Sequence, residues 1–159
     1  MANFLLARDT IHGAAGSAFI TQDGVVKELF AAKKIDAKAN VSSTDMKVIG
    51  TKRIQNKNGG VKLTGTGTMY YVTSDFARMV EQYVHTGHMP VFNMQVTNDD
   101  EAASIGVQTV ALYRCQLTGD IPIFILDDSS DMLTFDFSCS FEDFEILSPF
   151  QAPTELGSE

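Results

Sequence analysis

Leu63-Thr-Gly-Thr-Gly-Thr-Met-Tyr-Tyr-Val-Thr-Ser-Asp-Phe76 carries two periodicities, and the change between them decides the fold. From Val61 to Thr73 the residues alternate, with Lys62, Thr64, Thr66 and Thr68 on one side and Val61, Leu63, Gly65, Gly67, Met69 and Tyr71 on the other. That is the period of a strand. Threonine is β-branched and polar, so a threonine row suits a strand face that meets water or lines a channel. Gly65 and Gly67 leave the opposite face without side chains, which predicts a bend or a closely packed backbone. At Ser74 the period changes. Phe76, Met79, Val80, Tyr83 and Val84 recur at i, i+3, i+4, i+7 and i+8 and form a packing stripe, with Arg78, Glu81, Gln82 and His85 on the other side. Ser74 stands at the N-cap, Asp75 near the positive end of the dipole and Gly87 just past the end, so the helix spans 75–86. A helix laid on a sheet is the expected result.

Outward from this stretch the pattern is β. Upstream, Asp45 to Gln55 reads as a strand and Asn56-Lys-Asn-Gly-Gly60 as a polar loop, giving a long hairpin over about residues 36–64. Before it, Ile35, Ala37 and Ala39 alternate with Lys34, Asp36 and Lys38, which favours a strand over a helix. Residues 17–22 form a short strand that Asp23-Gly24 turns, because Asp-Gly tolerates the positive φ of a tight hairpin. Downstream come Val91 to Thr97, an acidic turn, and Val107 to Leu117. In the last strand Leu133, Phe135, Phe137, Cys139 and Phe141 oppose Thr134, Asp136, Ser138, Ser140 and Glu142. The phase then flips at Asp143, since Phe144 and Ile146 take the other parity, which marks a β-bulge or a strand changing sheets. Pro149 and Pro153 close the ordered part, and about 150–159 reads as a loose tail. The reading is a mainly β (α+β) chain forming one domain over 1–159, with one flanking helix and one long hairpin.

With 159 residues, 44% hydrophobic and 20% charged, the chain is ordinary globular material. No apolar run is long enough for a transmembrane helix, and the N-terminus lacks the basic start and apolar centre of a secretory leader. Two cysteines are too few for a disulfide scaffold and suit a reducing compartment. The net charge of −8 disfavours a sequence-reading nucleic-acid binder. It also conceals a split: residues 1–80 carry +5 and residues 81–159 carry −13, so basic and acidic surfaces are available to meet within a subunit or between copies, or to stand as two solvated faces.

The reactive residues do not assemble into known chemistry. His85 and His88 have no third ligand at zinc spacing and sit where a histidine complements a helix C-terminus. Gly65-Thr-Gly67 lies inside a strand pattern without the Lys-Ser/Thr of a phosphate loop. Cys115 and Cys139 occupy apolar parities, the pairs Asp127-Asp128 and Glu142-Asp143 read as solvated loop and bulge residues, and Ser129 and Ser130 lack a nucleophile elbow. The expectation is a protein that is not an enzyme and holds no metal and no cofactor.

The Leu63–Phe76 stretch running into its helix resembles the tail tube (tail core) proteins of contractile phages, of the group found in PBSX-like defective prophages and phage-tail-like bacteriocins. Gly13 and Gly16 before the first hairpin, the Asp-rich turn, and Phe141-Glu-Asp-Phe144 fall in the same order, over about residues 10–148. The resemblance implies a β-sandwich or barrel tail-tube fold, whose copies form hexameric rings stacked into an inner tube within a contractile sheath. It implies a conduit for DNA or ions that holds passing DNA without specificity. Its implied partners are further copies of itself, the sheath protein, the tube initiator or baseplate and the tail terminator. Assembly is expected in the bacterial cytoplasm, with no membrane insertion by the monomer. Under that picture Thr64, Thr66, Thr68, Asp136, Ser138, Ser140 and Glu142 are candidates for the lumen face. Lys47, Lys52, Arg53, Lys57 and Lys62, with Asp99, Asp100, Glu101, Asp127 and Asp128, are candidates for contacts between subunits. The alternative is a small β-rich monomeric binding or adaptor module that docks a partner through its charge-split surface.

Overall fold

The structure is a computed structural model that describes residues 6–9, 11, 16–29, 32–128 and 131–152. Gly13, Ser129, Ser130 and residues 153–159 of the expected tail lie outside the described residues. The elements are β1 (Gly16–Gln22), β2 (Val25–Glu28), β3 (Ala32–Lys47), β4 (Ile54–Tyr70), α1 (Asp75–Thr86), β5 (Phe92–Asp99), β6 (Val107–Thr118), β7 (Thr134–Ser140) and β8 (Asp143–Ser148). They fall into two compact units, one from described residues within 1–32, 90–115 and 142–159, the other within 33–89 and 116–141.

In the first unit the strand order is β2-β1-β5-β6, with β8 on the other side of β6. Asp23 (φ 51°) and Gly24 (φ 80°) both take the left-handed region, so the β1–β2 turn is built from the Asp-Gly pair that the sequence singles out. Ala18, Ile20, Phe92, Met94, Ala111, Leu112 and Cys115 are its buried apolar side chains. Phe92 faces Cys115 but Met94 faces Leu112, so one extra residue is accommodated in β6. Arg114 absorbs it at φ 56°, and its N–H is taken by the Asn93 Oδ1 at 3.0 Å. This bulge swaps which parity of β6 is buried. Cys115 is buried, but by a different phase from the Ala111/Tyr113 parity to which sequence alternation assigns it.

In the second unit the last residues of β6 pair with β7, β7 with β4, and β4 with β3. α1 contributes the second layer: the Phe76 ring lies 4.7 Å from Phe137 and 6.2 Å, edge-on, from Phe135. Aromatic pairs of this kind add about 0.5–1.5 kcal/mol beyond area burial. Met69, Phe76, Met79, Leu117, Phe135, Phe137, Cys139 and Phe141 are buried in this unit. The predicted bounds of α1 hold, and Gly87 ends it at φ 78°, its N–H donating to the Tyr83 carbonyl. Two details differ. Ser74 makes no side-chain cap; the Thr73 hydroxyl accepts from Asp75 N–H instead, at 3.3 Å. The apolar stripe is buried only at Phe76 and Met79 and half-buried at Val80, while Tyr83 and Val84 are 47% and 71% exposed.

The long hairpin is present, but its turn is not at Asn56–Gly60. Those residues belong to β4, and the chain reverses over 48–53 around Gly50, whose φ is 97°. A Cβ on Gly67 would meet the Lys34 carbonyl, one on Gly65 the Asp36 carbonyl and one on Gly59 the Ser42 hydroxyl, so the partners converge on that turn. The polar Asn-Lys-Asn-Gly-Gly run is strand because the hairpin is exposed on both faces there, and exposure removes the demand for apolar alternation.

Candidate functional site

The two polar rows read separately along the sequence form one surface. In the β4–β7 register Thr64 faces Ser140, Thr66 faces Ser138 and Thr68 faces Asp136. Their neighbours in the same register, Gly65 with Cys139, Gly67 with Phe137 and Met69 with Phe135, make up the buried face. The glycines are explained by that second set. A Cβ on Gly67 would come within 2.5 Å of the Phe137 ring and 3.0 Å of the Lys34 carbonyl, and one on Gly65 within 3.1 Å of the Cys139 sulfur. Glycine here makes room for a bulky cross-strand partner.

Side-chain hydrogen bonds run across the polar face. The Thr68 hydroxyl donates to Asp136 Oδ1 at 2.7 Å, the Thr66 hydroxyl to Asp36 Oδ1 at 2.8 Å, and the Ser138 hydroxyl to the Thr118 carbonyl at 2.6 Å. Lys34 sits 3.8 Å from Asp36. An open groove of about 370 Å³ crosses this surface, bordered by Lys34, Thr66, Thr68, Asp120, Asp136 and Ser138. Asp36, Thr118 and Asp120 were not singled out from sequence; their signal was weak, because each joins the row through long-range pairing and not through its own neighbours. Hydroxyls tied to carboxylates in this way give a polar wall with fixed donors and acceptors.

Glu142 does not belong to this face. It lies beyond the end of β7, in the first unit, where its carboxylate accepts from Arg114 Nε at 2.9 Å and its N–H donates to the Tyr113 carbonyl. The phase flip that follows it is the point where the chain passes from β7 to β8, which pairs with β6 from Val110–Ile146 to Tyr113–Asp143. There the Tyr113 hydroxyl donates to Glu145 Oε2 at 3.1 Å. That hydrogen bond, then burial and the charges of Glu145 and Asp143, hold the phenol above the usual tyrosine range.

Among the charged candidates, Lys47 ends β3, Lys52 and Arg53 lie in the hairpin turn, and Lys57 and Lys62 are on β4, all exposed. Asp99 ends β5, and Asp100 and Glu101 form the turn after it, with the Asp100 carboxylate accepting from Ala102 N–H at 3.0 Å. Asp127 and Asp128 are exposed in the segment between β6 and β7. His85 and His88 are exposed, and among the described residues no three His, Cys, Asp or Glu side chains gather as a metal site. Cys115 and Cys139 are both buried and outside any disulfide. Among the described residues no helix is long and apolar enough to cross a membrane.

Comparison with known proteins matches this architecture to one family. The family described as phage tail tube protein matches residues 3–148. The phage-like element PBSX protein XkdM of Bacillus subtilis (strain 168) is 32% identical over 142 residues, covering 89% of this chain and 93% of that protein. The fold is shared with a chain of the sheath-tube complex of the PVC extracellular contractile injection system in its extended state (TM-score 0.66, 7% identity, 88% of this chain and 93% of that one). It is shared also with a chain of that system's sheath/tube terminator (TM-score 0.65, 7% identity, 87% and 97%). The chain is therefore a structural component of phage-like tail particles and belongs to the phage tail tube protein family.

Proposed function

We infer that the chain, acting over 1–159 as one ring-forming domain, is the repeating subunit of the inner tube of a contractile particle. Copies close into hexameric rings that stack inside a sheath, and the tube conducts DNA or ions without performing catalysis or holding a cofactor. The observation that carries this reading is the β4–β7 face, on which Thr64, Thr66, Thr68, Asp136, Ser138 and Ser140 are paired residue for residue opposite a buried apolar face. A wall of hydroxyls and carboxylates offers few cations to a polyanion, so DNA passes it without being gripped. Among the described residues β3 leaves one edge of the second unit without a strand neighbour, and pairing with a neighbouring copy removes an edge that would otherwise invite aggregation. Sheath protein, tube initiator or baseplate and tail terminator are the partners this role requires, with assembly in the bacterial cytoplasm.

Negative-stain electron microscopy of the concentrated full chain tests the reading. Sixfold rings or rods are expected, appearing with rising protein concentration. A chain that stays monomeric at every concentration and salt, alone and with its initiator proteins, would replace the tube subunit with a small binding module.

A further inference from the structure

The segment Asp120–Asp128 is anchored on one side and apolar on the other. Ile121, Pro122 and Ile125 are half-buried, and Ile125 N–H donates to the Tyr71 hydroxyl at 3.3 Å. Pro122 and Ile123 border a crevice with Tyr71 and Phe76, which ties the segment to the start of α1. Yet Ile123, Phe124 and Leu126 are 74%, 76% and 93% exposed. Large apolar side chains held outward on a tethered strap mark a surface that another surface covers. Asp120, Asp127 and Asp128 flank it.

The complementary chemistry stands at the end of the β3–β4 hairpin. Met46, Val48, Ile49 and Ile54 are exposed there, Ile49 fully, among Lys47, Lys52 and Arg53. Since both sets are exposed, neither covers the other in the chain that carries them. One is apolar and acidic; the other is apolar and basic.

We propose that the 121–126 strap of one copy receives the 46–54 hairpin end of a second copy, apolar side chains in contact and the flanking acids facing the hairpin bases. The charges select this arrangement: strap against strap sets acid on acid, and hairpin against hairpin sets base on base, both repulsive. The contact is head-to-tail, so every bound copy still offers one strap and one hairpin, and association propagates until it closes or continues as a stack. The tube reading supplies the setting for this contact, while its chemistry rests on the two exposed surfaces.

A full-length chain carrying Ile49→Cys and Phe124→Cys tests it directly. Under mild oxidation a ladder of cross-linked oligomers is expected on non-reducing electrophoresis, and none from the parent chain, whose two cysteines are buried. Monomer alone from the double variant would overturn the proposal. A second measurement uses one strap variant, Phe124→Ser with Leu126→Ser, and one hairpin variant, Ile49→Ser with Lys52→Glu. Each alone should need about tenfold more protein to assemble, corresponding to ~1.4 kcal/mol. Mixed, they should form 1:1 dimers in light scattering, because each keeps the surface the other lacks. Either variant assembling like the parent, or a mixture that stays monomeric, would overturn the contact. The two readings fail separately: cross-linked ladders without rings or rods would sink the tube, and rings without the cross-link would sink this contact.

Discussion

The two ends of β4 are one strand under two regimes. From Gly65 to Met69 every second residue is buried, and Thr64, Thr66 and Thr68 point the other way. From Ile54 to Lys62 nothing is buried, although Ile54 and Val61 are as apolar as anything in the core. The difference is a second layer. Near Gly67 the face is covered by Phe137, itself covered by Phe76 of α1, whereas at the hairpin end no other element of the described chain lies over either face. Burial at the covered end holds the fold, since a fully buried phenylalanine contributes about 2–3 kcal/mol. The uncovered end is kept in shape by its ladder and by bonds such as Ser42 hydroxyl to the Gly60 carbonyl at 3.2 Å. Stability is concentrated at one end of the strand and surface for recognition at the other.

The largest effect expected from this contrast is Phe137→Ala. Phe137 is 3% exposed and sits between the β4 glycine and Phe76, so the deletion opens a cavity where the two layers meet. A loss of about 3–5 kcal/mol is expected in urea unfolding followed by circular dichroism. A loss below 1 kcal/mol would show that the covered end does not carry the stability. Next comes Gly67→Ala. The added methyl would overlap the Phe137 ring and press on the Lys34 carbonyl, and the ring cannot swing aside because Phe76 backs it. The expected cost is about 1–3 kcal/mol, measured the same way.

The covered end was the legible one. Alternation from Val61 onward and the helix over 75–86 record a face that has a layer above it. The helix emerged with its expected bounds, whereas the strand runs Ile54–Tyr70 and not 61–73, and the phase flip at Asp143 marks the start of β8. The Asp23-Gly24 turn was legible because its chemistry is local. Where burial is missing, the pattern is missing too, and so Asn56–Gly60 read as a loop and the turn at 48–53 passed as strand. The β6 bulge was hidden for another reason: Val110, Ala111, Leu112 and Tyr113 are apolar on both parities, so a one-residue slip leaves no trace. Both halves of the polar face were readable as rows, but their register is a long-range property that no local spacing encodes. Tyr83 and Val84 read as packing residues from their spacing, which reports that a face is apolar and not what covers it.

The smallest expected effect gives the sharpest control. Gly60 lies on the same strand as Gly67, also without a positive φ, but a Cβ built there meets nothing within 4 Å. Gly60→Ala therefore adds no clash, and it narrows the freedom of the unfolded chain, so a change between zero and a gain of about 0.5–1 kcal/mol is expected in the same urea titration. The two substitutions are chemically identical and differ only in what stands opposite the new methyl. A Gly60→Ala loss as large as that of Gly67→Ala would mean that glycine is needed along all of β4 for its backbone and not for the room it leaves, and the contrast between the two ends would collapse. A null effect at residue 60 beside a substantial loss at residue 67 would place the constraint on the Phe137 ring and the layer behind it.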